Sequence, residues 1–384
     1  MHNKEGFNMK NSRTNLIAPH VRKGHFRKVG KRTIWINATI VHSKEFYKNF
    51  QTASIAQHIK YREYFIADAD RNLNLLTFAG SKSKYEKHFH TALADLNPAP
   101  IEYFLEPFAG SLGSFTFLNK MIEAKHYVIN DNNIKFVNFY KNIKHNPIAL
   151  IEKIIELETK YRSLLPTDPS IKKGKVPAEQ KHSMQKAQHM HAEVRDLFNQ
   201  HNLDIDSSAS LVFLQARSFN GVYREGAKDQ FTTAFNWTNT HANLKNITNA
   251  IIDMHITLKN KNVIIENLDI ADFLKKYAHI DSFLYLDPPY LGSNLKYNKS
   301  MFEGALQDHV ALIEKTKLHK YVLYSNSYHE EFLKGFDGFI DFSRNVEVSG
   351  KKTASSKRRE ILAYKTNMAN IQMNSSKFTN QEVA

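Results

Sequence analysis

Five short, mostly apolar runs, each closing on a polar or acidic residue, constrain the fold of this 384-residue chain more than any other feature. They cover residues 101–105 before Glu106, 127–129 before Asn130 and Asp131, 263–265 before Asn267 and Asp269, 283–286 before Asp287, and 321–324 before Ser325 and Asn326. Runs of this length suit strands buried on both faces, as in a parallel sheet covered by helices. In open sheets of that kind ligands bind outside the carboxyl ends of the strands, so the polar tips are expected to meet at one crevice. Two later runs, residues 339–342 and 360–364, flank a basic loop and read as a closing antiparallel pair. The expected fold is α/β, a Rossmann-like sheet with helices on both faces.

The fourth run ends in Asp287-Pro288-Pro289-Tyr290. A carboxylate, a main-chain carbonyl aimed by the fixed proline dihedral, and an aromatic ring together make a site for a planar base bearing an exocyclic amine. Such an amine is a poor nucleophile because its lone pair is delocalised into the ring. Acceptors placed on its hydrogens draw the nitrogen toward tetrahedral geometry. The bland alternative is a proline-rich turn at the end of a strand. The first run enters a small-residue turn, Glu106-Pro107-Phe108-Ala109-Gly110-Ser111. A glycine there lets a ligand approach the backbone closely, and Asp131 follows at about the twenty-residue interval that doubly wound folds use to place an acid on ribose hydroxyls.

Taken with Phe78-Ala79-Gly80-Ser81-Lys82 and with residues 217–224, which include Arg217, Asn220 and Arg224, these blocks resemble the Dam-type, alpha-group DNA adenine N6 methyltransferases over roughly residues 75–366. Phe78 stands where that family usually has tryptophan, and Ser81 where it has its second glycine. The resemblance implies a methyltransferase fold that uses S-adenosyl-L-methionine. Phe78, Gly80, Lys82, Glu106, Pro107, Phe108, Gly110, Asp131 and Asp269 would surround that cofactor, while Asp287, Pro288, Pro289 and Tyr290 would hold an everted adenine. It also implies a mainly helical target-recognition insert at residues 135–261, between catalytic parts at 63–134 and 262–367, with a polar tail at 368–384. Within this reading Arg217, Asn220, Arg224, Lys351, Lys352 and Arg358 contact double-stranded DNA. A cognate restriction endonuclease is a further partner the resemblance allows, and a monomer on DNA is expected. The same tetrapeptide serves methylation of the cytosine N4 amine or of RNA, and a catalytically silent DNA-binding regulator would keep the same fold, so these alternatives stay open.

Charge agrees with a polyanionic partner. Lys and Arg number 53 against 38 Asp and Glu, a formal excess of +15, which favours phosphate binding and makes affinity salt-sensitive. Residues 1–62 hold thirteen Lys or Arg and two acids. Residues 33–41 alternate as a strand would, and a DNA-contacting module and a disordered basic arm are equally compatible with this segment; a helical stretch at 51–72 is expected to link it onward. Residues 166–191 are strongly hydrophilic, with Lys172, Lys173 and Lys175 beside Gly174, and suggest a flexible excursion. No apolar run approaches a membrane span and no signal-peptide core is evident, so a cytoplasmic location is expected. The chain has no cysteine, which excludes disulfides and thiolate metal sites. Its 19 histidines lack acids in a repeated ligand pattern, and no metal is expected.

Overall fold

The computed structural model describes residues 20–22, 25–29, 32–36, 39–41, 55–67, 71, 73, 75–76, 82, 85–165, 178–200, 202–218, 221, 223–226, 230–237, 242–278, 281–291, 305–347 and 355–367. At 20–41, 65, 179, 344–347 and 355–358 the description is of the backbone. Phe78, Gly80, Asn220, Lys172, Lys173, Lys175, Lys351, Lys352 and the polar tail lie outside the described residues, as does the side chain of Arg358. The chain divides into two compact units, Met1–Ile66 and Ala67–Ala384.

In the first unit β1 (His20–Arg22) pairs antiparallel with β4 (Thr39–Val41), and β2 (His25–Val29) with β3 (Arg32–Ile36); helix α1 (Ile55–Phe65) follows. The single strand expected over residues 33–41 is therefore two strands with different partners. Alternation persists across such a break, so the sequence pattern does not reveal it.

The second unit opens with α2 (Glu86–Leu96) and then β5 (Ile101–Glu106), α3 (Phe115–Met121), β6 (Ala124–Asn130), α4 (Ile134–His145), α5 (Pro147–Leu164), α6 (Lys181–Phe198), α7 (Ile205–Arg217), α8 (Leu244–Asn260), β7 (Ile264–Glu266), α9 (Ile270–Lys276), β8 (Ser282–Leu286), α10 (Leu306–Lys315), β9 (Tyr321–Ser327), α11 (Glu330–Leu333), β10 (Gly338–Glu347) and β11 (Ser355–Thr366). Its seven strands form one sheet in the order β10-β11-β9-β8-β5-β6-β7. Strands β5 to β9 are mutually parallel, β11 runs antiparallel to β9, and β10 antiparallel to β11.

The order reverses between β5 and β8. From β5 the chain steps outward through β6 to β7, then crosses back to β8 and continues to β9. Because such crossovers are right-handed, the two directions put their helices on opposite faces. Packing bears this out. One face is aromatic: Phe104 and Phe283 stack with ring centres 6.1 Å apart, and Phe89 of α2 meets Tyr285 at 5.5 Å and Phe117 of α3 at 4.8 Å. The other face is largely aliphatic, with Leu105, Val128, Leu284, Leu286 and Val322 packed against Phe273 and Leu274 of α9, Leu312 and Ile313 of α10, and Phe332 of α11. The crevice at such a reversal is where an open α/β sheet binds ligands.

Helices α4 to α8 occupy the span between β6 and β7, called the insert below. Its first and last helices are fastened to one another and to the approach to β7, with Lys144 Nζ donating to Val263 O at 2.8 Å and His255 Nδ1 lying 3.0 Å from Ile143 O. Helix α6 corrects the expectation of a flexible excursion that reaches residue 191. Met184, Ala187, Met190, His191, Val194 and Phe198 are buried along one side of it. These spacings make a helical stripe, and its methionines, alanine and histidine carry too little hydropathy to stand out against the charged residues between them.

Candidate active site at the strand tips

Period-two alternation decides which tips face each other. Phe104 is opposite Phe283, and Leu105 opposite Leu284, in the β5–β8 ladder. Glu106 therefore leaves β5 on the aromatic face, and Asp287, two residues beyond Tyr285, follows the same face out of β8. Helix α2 covers that face through Phe89, and the turn that begins it carries Lys82, whose carbonyl accepts from Tyr85 N at 2.8 Å.

Lys82 Nζ donates to both oxygens of Asp287 at 2.7 Å. The pair is unevenly covered, the lysine side chain being 4% exposed and the aspartate 20%. The same ammonium stands 4.7 Å from the centre of the Tyr290 ring. That ring is fixed by its hydroxyl, which lies 2.9 Å from Ser325 Oγ on β9 and donates to Glu360 Oε2 on β11 at 3.3 Å. Burial, reinforced by the charges of Asp287 and Glu360, holds the Tyr290 phenol well above its ordinary range, so it stays protonated. The peptide after it is pinned too, Leu291 N donating to Asn326 Oδ1 at 3.1 Å. Pro288 is buried and Pro289 half-buried.

Glu106 is fully buried. Its Oε1 accepts from Ser114 Oγ, and its Oε2 has no hydrogen-bond partner among the described residues. Burial pushes this carboxyl up to about 8; the Ser114 bond works against that, and the nearby Asp287 charge adds to it. The loop after Glu106 turns at Gly110, whose φ of +47° is a left-handed conformation. Among the described residues a Cβ at this position would meet nothing within 4 Å, so they leave the space in front of the loop open. Gly110 N donates to Asp131 Oδ2 at 2.8 Å, and Asn133 N to Asp131 Oδ1 at 2.8 Å. Burial raises the Asp131 carboxyl to about 6 despite those two bonds. Asn130, also buried, ties three loops: its amide donates to Pro107 O at 3.0 Å and Leu268 O at 3.1 Å, and its oxygen accepts from Leu268 N at 2.7 Å. Tyr140 on α4 closes the back of the loop by donating to Gly110 O. Phe108 packs against the aliphatic core.

Lys82, Glu106, Gly110, Asp131, Asp287 and Tyr290 thus lie along one rim. Asp269 caps α9, its Oδ1 accepting from Ala271 N at 2.9 Å. Ser325, Glu360, Asn130, Asn133 and Tyr140 are absent from the sequence-based site. Ser325 carried a signal as a polar strand tip, and Glu360 as an acid opening an apolar strand. Tyr140 carried none, because its reach to Gly110 depends on how α4 docks.

Arg217 requires a correction. Expected to contact DNA, it is fully buried, with Nη2 donating to both oxygens of Glu158 on α5 and its guanidinium 4.4 Å from the Tyr161 ring centre. Burial pushes Glu158 up and Arg217 down, each opposed by the other's charge. It closes an apolar helix, and the residue type alone does not tell an outward from an inward arginine. Arg224, by contrast, is exposed. Among the described residues no group of acids and histidines could hold a metal, and no helix is long and apolar enough to cross a membrane.

A family model described as D12 class N6 adenine-specific DNA methyltransferase matches residues 78–347. Among similar proteins, the Type II methyltransferase M.MjaIII of Methanocaldococcus jannaschii is 28% identical over 299 residues, covering 72% of this chain and 93% of the relative. The Type II methyltransferase M1.LlaDCHI of Lactococcus lactis subsp. cremoris is 27% identical over 198 residues, 51% of this chain and 59% of the relative.

Proposed function

We propose how a member of the D12 class of N6 adenine-specific DNA methyltransferases, the family to which this chain belongs, uses the rim just described. Methylation of the adenine N6 amine in DNA is the family's reaction, and the cytosine, RNA and silent-regulator alternatives are set aside with it. Its residues would act as follows. Asp287 and the Pro288 carbonyl accept hydrogen bonds from the amine, and Tyr290 stacks on the everted base. The observation that carries this reading is the Lys82 ammonium, a nitrogen donor held at 2.7 Å by both Asp287 oxygens and 4.7 Å from the Tyr290 ring. Asp287 therefore sits in a setting that can accept an N–H donor close to an aromatic ring. The amine and the ammonium compete for one carboxylate, so an entering base displaces Lys82. Extrusion from the duplex costs a few kcal/mol, which the new contacts offset.

DNA methyltransferases generally use S-adenosyl-L-methionine, and the residues of the first loop fit it. Glu106 keeps an unpartnered buried oxygen, Gly110 leaves open space, and Asp131 offers an acceptor for hydroxyls. Glu106, Pro107, Phe108, Gly110 and Asp131 would hold the cofactor, with Lys82 and Asp269 at its margins. When bound, it supplies an electrophilic methyl group. Asp287 need not be a strong base, because an alkylated amine sheds its proton readily. Buried walls and the fixed Tyr290 exclude water and orient the base.

The insert, residues 135–261, would read the DNA, with Arg224 among its contacts. The two Type II relatives support a restriction-modification setting with a cognate endonuclease. The enzyme would act as a monomer in the cytoplasm. Methylation-sensitive sequencing of DNA from cells expressing the chain, with an Asp287→Ala control, tests the reading. N6-methyladenine at one motif in the wild type alone is expected; no new methylation in either would overturn it.

A further inference from the structure

The segment after α7 folds back on itself. Asn236 N donates to Arg217 O at 2.8 Å, Thr232 N to Arg224 O at 3.0 Å and Gly226 N to Gln230 O at 2.8 Å. Asn199 at the end of α6 clamps its return limb, accepting from Phe231 N at 2.7 Å and donating to Phe231 O at 3.2 Å. Along the outgoing limb side chains alternate: Tyr223 is buried, Arg224 exposed and Glu225 half-buried.

Glu225 looks inward, toward the sheet. Its Oε1 accepts from the Tyr223 hydroxyl at 2.6 Å and from Asn133 Nδ2 at 2.7 Å. Asn133 is the residue whose backbone N–H donates to Asp131 Oδ1 and whose own Oδ1 caps α4 through Lys135 N at 3.0 Å. A continuous hydrogen-bonded chain thus runs from Gly110 through Asp131 and Asn133 to Glu225 and Tyr223. It joins the glycine loop to the limb that presents Arg224. Asn133 separates two carboxylates, one on each side, and their repulsion contributes to the raised Asp131 pKa.

We infer that Glu225 is a positioning residue that couples occupancy of the Gly110–Asp131 end of the rim to the DNA-facing limb of the insert. The inference rests on the reading above, in which Asp131 holds the cofactor and Arg224 meets DNA. A ligand that donates hydrogen bonds to Asp131 changes how firmly Asn133 is held. Asn133 in turn sets the position of Glu225, and Glu225 that of the residue before it. By reciprocity, DNA that orders the limb tightens the cofactor end by the same factor.

The test measures the affinity of the full-length protein for a duplex carrying its mapped site, with and without S-adenosylhomocysteine, and takes the ratio as the coupling. About tenfold tightening is expected for the wild type, within the usual range for coupled sites. Glu225→Ala should bring the ratio below about twofold, and Glu225→Gln, which keeps an oxygen for Asn133, should restore most of it. Wild-type coupling retained in Glu225→Ala overturns the inference, as does a wild-type ratio of one. Should Glu225→Ala fail to fold, Tyr223→Phe decides: a reduced ratio supports the chain and an unchanged one overturns it. Failure of S-adenosylhomocysteine to bind the wild type at all would instead defeat the reading of the rim.

Discussion

Two places in the second unit are built from the same three groups: a cation, a carboxylate and a tyrosine ring. At the rim they are Lys82, Asp287 and Tyr290; inside the insert they are Arg217, Glu158 and Tyr161. The difference is access. Side chains of the insert pair are 0% and 1% exposed, whereas at the rim the carboxylate keeps 20% of its surface open. A sealed pair can only hold helices together, and losing one member strands a charge. At the rim the open carboxylate can exchange its partner for another donor. The same kinds of group thus make a brace in one place and, on the function proposed above, a receptor in the other.

Substitutions can break or sharpen that contrast. Asp287→Ala should have the largest effect, lowering methyl transfer by about a thousandfold or more, roughly 4 kcal/mol of transition-state stabilisation, while cofactor affinity by calorimetry stays within about threefold. Equal turnover would remove Asp287 from the chemistry. Next, Arg217→Met should cost up to about 3–5 kcal/mol in urea unfolding because buried Glu158 is left with only the part-exposed Arg162, at 3.7 Å, and adding Glu158→Leu should recover much of it. Lys82→Met should cost less, about 1–2 kcal/mol, since water reaches Asp287 although the ammonium is covered. Equal losses in Arg217→Met and Lys82→Met would erase the distinction between brace and receptor.

Asp131→Ala should weaken cofactor binding by about tenfold or more, roughly 1.4 kcal/mol, with a pH signature. The Asp131 carboxyl is raised from 3.8 to about 6 on folding. Between those values the folded state holds more protons than the unfolded, so this group's contribution to stability falls as pH rises through the window. The ionised form is the better acceptor, so cofactor affinity should drop as pH falls below about 6, and the drop should vanish in Asp131→Asn. Smallest is Arg224→Ala, which should reduce the salt slope of DNA binding by about one in a log–log plot; an unchanged slope would take Arg224 off the phosphates.

The sheet was legible because buried parallel strands write themselves as apolar runs, and the tips were legible because a carboxylate after such a run has few structural uses. Glu106, Asp131 and Asp287 are read this way, and Gly110 from the small-residue turn between the first two runs. Contact between Lys82 and Asp287 was not, since it depends on α2 lying across Tyr285, 205 residues apart in the chain as the pair is. Arg217 misled because burial is a property of its neighbours. Helix α6 hid behind its own charges, and Glu225 gave no sign because Asn133, its partner, sits 92 positions earlier.

The reversal of strand order between β5 and β8 also bears on how such a protein can diversify. The chain leaves the sheet after β6 and re-enters it at the neighbouring edge strand β7, and the helices between are tied back near β7 and at the Gly110 loop. Lengthening that span costs little, about 0.6 kcal/mol for each doubling of a flexible loop. Length can therefore be added between β6 and β7 while the two carboxylates at the turning point keep their spacing.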